Sequence, residues 1–334
     1  MKTKYFLYFA TIVTAFLFAC EKEIKFSGEE MKTQLVLNGL LTADSVVKIN
    51  LTSSRFFLDD ADTFKNIDHA IVTLWKEGNK IEEPANAGAG FYVGRTIPKP
   101  GNNFRITVSC EGFDPIECST GVVSSTPILS ADTIHFSEQR LYSDDFMSDD
   151  GNYYIDSTSY YLKTNFDLCF TFKDSIGIPN YYTIKVYMKY YYKNGESFCL
   201  PLIFNSEDLV FQRGNTGVGF LESVDYLKTA FFNDELFDGK DYKLTISAKN
   251  WDDMHVGKDY TIPGKVDPEP VAKEITLELQ SLSYEYYMYL KTREAQSKMS
   301  KLIESFSESV QIYTNVKGGI GILGSYASSV YRIP

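Results

Sequence analysis

Histidine and tryptophan are scarce in this chain of 334 residues, with three His and two Trp. His69, His135 and His255 stand far apart in sequence, each in a different setting (IDHAI, TIHFS, DDMHV), so a serine or cysteine nucleophile has few bases to draw on. Absent too are G-x-S-x-G, H-E-x-x-H and G-x-x-x-x-G-K-[ST], the patterns of a nucleophile elbow, a zinc-protease helix and a phosphate-cradling loop. No Cys-x-x-Cys occurs, which removes the usual spacing of a structural zinc site. A glycosidase carboxylate pair leaves no motif among 44 acidic residues, and nothing in the pattern argues for one. These absences lead to the expectation of a protein with no catalytic residues, no metal and no cofactor.

Positive charge is also in short supply. Lys and Arg number 33 against 44 Asp and Glu, for a net charge of −11. Nucleic acid and anionic membrane surfaces are therefore poor partners, since both demand clustered basic charge. Aromatics, by contrast, are abundant at 15%, with 24 Tyr and 24 Phe, which favours pleated structure.

The one long apolar run is at the start. Lys2 and Lys4 precede an uncharged stretch, Tyr5 to Phe16, followed by Leu17-Phe18-Ala19-Cys20 and then the charges Glu21, Lys22 and Glu23. This is the order of an export signal, and its core is shorter than the roughly 20 residues that a membrane-spanning helix needs. The Leu-x-Ala-Cys ending resembles a bacterial lipobox, which implies removal of residues 1–19 and acylation of Cys20. Residues 20–33 then read as a lipidated cysteine and a solvated tether. Two or three acyl chains on one cysteine would hold the chain at a membrane permanently, whereas one is marginal.

From Gln34 the pattern alternates with period two: Leu35, Leu37, Val47, Ile49 and Leu51, then AIVTLWK, GFYVG and NFRITVSC, with turns at Glu77-Gly78-Asn79 and Pro100-Gly101-Asn102. Residues 34–124 are expected to form a β-sandwich. Residues 125–160, polar and acidic, read as a linker and acidic loop. Asp144, Asp145, Asp149 and Asp150 within it do not have the spacing of a calcium loop. Residues 161–334 are expected to form a second β-rich domain. There YYTIKVYMKYYY directs Tyr182, Ile184, Val186, Met188, Tyr190 and Tyr192 to one face and Tyr181, Thr183, Lys185, Tyr187, Lys189 and Tyr191 to the other. The first set is expected in the core. The tyrosines and lysines of the second, Tyr181, Lys185, Tyr187, Lys189 and Tyr191, suited to stacking on a sugar or holding a carboxylate, are the candidate ligand or partner surface.

Asp225 to Leu236 reads as a short helix or loop. A helix is expected over residues 284–304, capped by Ser283, with Tyr284, Tyr287, Met288 and Ala295 among its apolar face. Gly319, Gly321 and Gly324 satisfy G-x-G-x-x-G, but too few residues follow for a dinucleotide site, so tight turns or close packing are expected of them. Four cysteines remain after Cys20: Cys110, Cys118, Cys169 and Cys199. A turn at Glu111-Gly112 would put Cys110 and Cys118 out of register, whereas one at Asp114 would make them face each other. Separate thiols and disulfides both fit this count.

The order of blocks LVLNGLLTADSVVKINLT, IDHAIVTLW, PGNNFRITV, FTFKDSIGIPNYYTIKV, FNDELFDGKDYKLTIS and VQIYTNVKGGIGILGSY resembles a Bacteroidota lipoprotein family, domain of unknown function 4249, over the whole mature chain. Ser309 stands where that family's pattern has proline. The resemblance implies an outer-membrane lipoprotein, exposed at the cell surface, with an N-terminal sandwich similar to immunoglobulin-like and carboxypeptidase-regulatory-like domains. It further implies a non-catalytic accessory or ligand-binding subunit beside a TonB-dependent receptor in nutrient uptake. The alternative role is a structural or adhesive envelope lipoprotein.

Overall fold

The computed structural model describes residues 32–55, 64–142, 146–147, 153–154, 159–214, 229–250, 254–259, 265–302 and 311–334. Cys20 lies outside the described residues, as do Asp144, Asp145, Asp149 and Asp150 and the last two residues of the expected 284–304 helix. The protein is mainly β, as the alternation demands, and is built around two large cores and a small third cluster of Leu282, Tyr287 and Leu290.

The first core is a sandwich. One layer holds β1 (Leu35–Leu41), β2 (Lys48–Ser53), β5 (Ala85–Gly88) and β6 (Phe91–Val93). The other is a four-stranded sheet of β3 (Ile71–Lys76), β4 (Asn79–Glu82), β7 (Asn103–Ser109) and β8 (Ile116–Gly121). Leu35, Leu37, Ile49 and Leu51 from one layer meet Leu74, Phe104, Ile106 and Val108 from the other, all buried. Period-two patterning produces this directly, because each strand turns alternate residues into the gap between layers.

The second core sits inside a curled sheet. Its strands are β9 (Ile128–Tyr142), β12 (Tyr160–Lys173), β13 (Tyr181–Tyr191), β14 (Ser197–Asn205), β15 (Ala230–Asn233), β16 (Asp241–Asn250), β17 (Met254–Asp259), β18 (Lys265–Asp267), β19 (Ala272–Leu282) and β20 (Ile320–Ile333). The order β9-β12-β16-β14-β13-β19-β20 curls until β20 lies beside β9, with no ladder between those two among the described residues. The result is a half-open barrel around an aromatic interior that includes Phe170, Phe172, Tyr182, Phe204, Phe232 and Phe237. A short ribbon of β10 (Phe146–Met147) and β11 (Tyr153–Tyr154) stands apart.

Residues 128–142 are a strand and not part of a linker. β9 pairs with β12 from Ile128↔Phe172 to Tyr142↔Tyr160. Its outward side chains are exposed, a register shift between Ile134 and Ser137 breaks the period, and the inward Glu138 and Arg140 are charged, so no apolar alternation marks it. Likewise Ala230–Asn233, within the expected helix or loop, is the strand β15 paired to β13. Among the described residues a short helix, α1 (Leu209–Gly214), precedes it.

The chain end joins the two cores. β20 runs parallel to β1 from Val36↔Ile320 to Leu41↔Ser325, then antiparallel to β19 from Leu282↔Tyr326 to Ile275↔Ile333. Residues 34–124 therefore receive part of their sandwich from the C-terminus. Val316 and Leu323 enter the first core, and the Asn315 side chain donates to Ser119 O (2.9 Å) and Leu323 O (2.8 Å).

The glycines of G-x-G-x-x-G are packing devices. Gly321 has φ +114°, and a Cβ there would lie 2.0 Å from the Leu37 carbonyl oxygen. A Cβ on Gly324 would lie 2.6 Å from Cβ of Tyr286.

That tyrosine belongs to α2 (Tyr284–Leu302), which docks on β20. Ser283 caps it, its hydroxyl accepting from Tyr286 N at 3.4 Å. Tyr287 and Leu290 are its buried contacts, while Tyr284, expected on the docked face, is 47% exposed. The helix start is also tied to the sandwich, where the Thr120 hydroxyl donates to Glu285 Oε2 at 2.9 Å.

Candidate functional site

Strand β13 carries the candidate surface. Tyr182, Ile184, Val186, Met188 and Tyr190 point inward and are at most 1% exposed. The opposite face does not behave as one surface. Tyr181 lies beneath α2, its ring centroid 4.8 Å from Tyr287 and 5.4 Å from Tyr284. Lys185, Tyr187, Lys189 and Tyr191 stay together, half-buried, on the outer face of the sheet.

β13 is an interior strand, so these lysines guard no sheet edge. They stand opposite acids: Lys185 faces Glu278 and Lys189 faces Glu274 across the β13–β19 ladder, with Tyr187 opposite Thr276. On the other side Lys189 faces Cys199 and Tyr187 faces Pro201. Glu278 also accepts from Gln280 Nε2 (2.8 Å) and the Ser328 hydroxyl (2.7 Å). The Lys189 ammonium lies 4.9 Å from the centre of the Tyr191 ring. Burial, with help from Glu278 and Cys199, pushes the Tyr187 hydroxyl up, so at neutral pH it is a protonated donor and acceptor. The face can offer two ammonium groups, two carboxylates and two phenol rings to a ligand with both apolar and polar character.

Three other constellations emerge that the sequence pattern concealed. His135, Asp167 and Ser247 line up on the outer face of the barrel. His135 Nδ1 is 2.8 Å from Asp167 Oδ2, and the Ser247 hydroxyl donates to Asp167 Oδ1 at 2.6 Å. These are the residue types of a nucleophilic triad in the wrong order, because the serine is bonded to the acid and not to the base. Asp167 is held below the usual carboxylate range by His135 first and Ser247 second.

A second group lies at the Tyr182 end of the barrel. Asp174, Asp234 and Asp238 bring carboxylate oxygens within 4.8 Å of one another. Each is engaged in fixing turns. Asp174 accepts from the Tyr182 hydroxyl and from Gly239 N (2.8 Å), Asp234 Oδ2 from Asn180 N (2.8 Å), and Asp238 Oδ1 from Gly177 N (2.8 Å). Separations of 60 or so residues between the partners left no spacing to read.

The third is a shallow groove of about 350 Å³ on the outer face of the sandwich, lined by Ile71, Thr73, Thr107, Ser109, Pro115 and Glu117 among others. Beside it Arg105 stacks over Trp75 at 4.5 Å and pairs with Glu117 at 2.8 Å.

All four described cysteines are thiols. The turn centres on Glu111-Gly112, closed by Phe113 N donating to Cys110 O (3.2 Å) with Gly112 at φ +83°. This puts Cys118 opposite Ile106, out of register with Cys110.

A β-sandwich completed by the chain's own C-terminal strand, fused through it to a half-open barrel with a tyrosine–lysine outer face, defines a class of two-core β-proteins. Within that class the chain belongs to the family described as Domain of unknown function (DUF4249), whose match covers residues 21–332. No curated protein matches it.

Proposed function

We propose that this protein is an outer-membrane lipoprotein, held by an acylated Cys20 and facing the cell exterior, that serves as a non-catalytic accessory or ligand-binding subunit of a TonB-dependent receptor. The observation that carries the anchoring is the Leu17-Phe18-Ala19-Cys20 ending, with the family match beginning at residue 21, directly after the expected lipidated cysteine. Among the described residues no helix is long and apolar enough to cross a membrane. The tether to Gln34 would let the two β units stand off the lipid by up to roughly 40 Å. The contact surface is the Lys185, Tyr187, Lys189 and Tyr191 face, where paired opposite charges and phenol rings support recognition of a polar partner.

Affinity purification of the tagged protein from gently solubilised outer membranes, with mass spectrometry of what accompanies it, tests this reading. A stoichiometric TonB-dependent barrel is expected, lost when Lys185, Tyr187, Lys189 and Tyr191 are replaced by Ala. Recovery of the protein alone, where other barrel complexes survive, overturns the accessory role and turns attention to the structural or adhesive one. Cys20→Ser is expected to release the protein from the membrane fraction.

A further inference from the structure

The end of the barrel farthest from α2 carries a layer of polar side chains above the aromatic interior. Tyr190 on β13 faces Lys273 on β19, and Thr164 on β12 faces Glu138 on β9, so all four point inward. Lys273 and Glu138 form an ion pair across the seam of the half-open barrel. The Thr164 hydroxyl donates to Glu138 Oε2 at 3.4 Å. Arg140, further along β9, pairs with Glu269 at 2.6 Å. At the rim Phe136 stacks on Phe166 with centroids 6.0 Å apart, and its ring remains 45% exposed.

Inside this layer the Tyr190 hydroxyl is completely enclosed, with the Thr164 hydroxyl as a polar neighbour but no partner at full hydrogen-bonding geometry. A buried hydroxyl without a partner costs about 1–3 kcal/mol, so one kept at this polar end of the core calls for a role. Burial pushes its ionisation up by more than the nearby Thr164 hydroxyl, itself directed at Glu138, brings it down. The result is a neutral group that both donates and accepts. Among the described residues the ion pairs around it are balanced, Lys273 and Arg140 against Glu138 and Glu269, which favours an uncharged ligand over an anion or a cation. The half-exposed Phe136 ring, which stacks on Phe166 and has the Lys273 ammonium 5.7 Å from its centre, offers apolar area suited to the C–H side of a sugar ring once that ammonium turns away.

We infer that this end of the barrel is a binding site for a neutral, hydroxyl-rich ligand, a saccharide unit that stacks on Phe136 and presents a hydroxyl to Tyr190. Glu138 accepts from a second hydroxyl and Lys273 donates to a third. The two pair with each other in the unliganded protein and part on binding. A partly exposed ion pair is worth only about 0–1 kcal/mol, so parting it costs little. The inference rests on the ligand-binding reading above for its role in the cell, but needs neither membrane nor receptor.

The test uses residues 21–334 as a soluble chain and ligand-observed NMR with glucose, galactose, mannose and xylose, against glucuronate and glucosamine as charged comparisons. At least one neutral sugar is expected to bind, with Tyr190→Phe weakening it about tenfold or more while the circular dichroism spectrum is unchanged. Phe136→Ala, at an exposed ring, gives the same loss should Tyr190→Phe fail to fold. No binding of any neutral sugar overturns the inference. So does equal binding by the folded variants, or tighter binding of a charged sugar than of any neutral one. Co-purification with a receptor is unaffected by either variant, so the two proposals fail separately.

Discussion

Gly324 and Tyr286 touch so closely that a single methyl group has no room between them: a Cβ at Gly324 falls 2.6 Å from the tyrosine's Cβ. Helix α2 can lie on β20 only because position 324 has no side chain. Gly324→Ala is expected to destabilise the protein by about 1–3 kcal/mol, the usual range for overpacking. Gly321→Ala should cost more, since its methyl meets the Leu37 carbonyl oxygen at 2.0 Å in a positive-φ conformation. Urea unfolding midpoints of the two variants check both the loss and its order.

Tyr181 and Tyr187 sit on the same face of β13 but should respond differently to truncation. Tyr181 is clamped by Tyr284 and Tyr287, whereas Tyr187 lies on the open part of the sheet between Thr276 and Pro201. Tyr181→Ala is expected to cost about 2–4 kcal/mol through lost helix packing, and Tyr187→Ala less than about 1.5 kcal/mol. Equal losses in chemical denaturation would mean that α2 does not depend on Tyr181.

These two tyrosines also show how far the sequence could be read. Period two separated the inward and outward faces of β13 correctly, because every inward residue is apolar or aromatic. It carried no information on what covers the outward face, since that depends on a helix a hundred residues later. Strands β1, β2, β3 and β7 were legible for the same reason as β13, and the Ser283 cap was legible because its chemistry is local. β9 was not, because an edge strand with charged inward residues near the barrel mouth lacks the alternation that marks a strand. The parallel pairing of β1 with β20 joins opposite ends of the chain, and no local pattern encodes it. The candidate site is divided likewise. Lys185, Tyr187, Lys189 and Tyr191 follow from alternation, whereas the Glu138, Thr164, Tyr190 and Lys273 layer needs four strands in register.

Cysteine reactivity should separate the thiols by environment. Cys118 is buried in the sandwich core, and burial, reinforced by Glu117, pushes its thiol up to about 12. At pH 8 its thiolate fraction is therefore on the order of 10⁻⁴, and access is blocked as well. Cys199, exposed beside Lys189, is also raised by burial but partly relieved by that ammonium. Iodoacetamide followed by peptide mass spectrometry should label Cys199 in the native protein and Cys118 only after unfolding. Native labelling of Cys118 at a comparable rate would contradict the packed sandwich core.

Asp234 gives the fold a pH dependence of predictable sign. Its side chain is buried next to Asp174, and burial first, with that neighbouring charge, raises its pKa despite the hydrogen bonds it accepts from Asn180. A carboxyl group whose native pKa lies above its unfolded value binds its proton more tightly when folded. Its contribution is thus fully present below about pH 3.9, the unfolded value, and is lost as pH rises through the native one. Asp167, held low by His135 and Ser247, works in the opposite direction, its stabilisation fading as pH falls. Asp234→Asn keeps an oxygen for the Asn180 amide and removes the charge. The variant should therefore gain stability relative to the native protein as pH is raised from 3.5 to 7. Urea midpoints of the two proteins decide it: a difference that stays constant with pH would mean that Asp234 titrates as in the unfolded chain, and that the acidic turn beneath Tyr182 is better solvated than its burial implies.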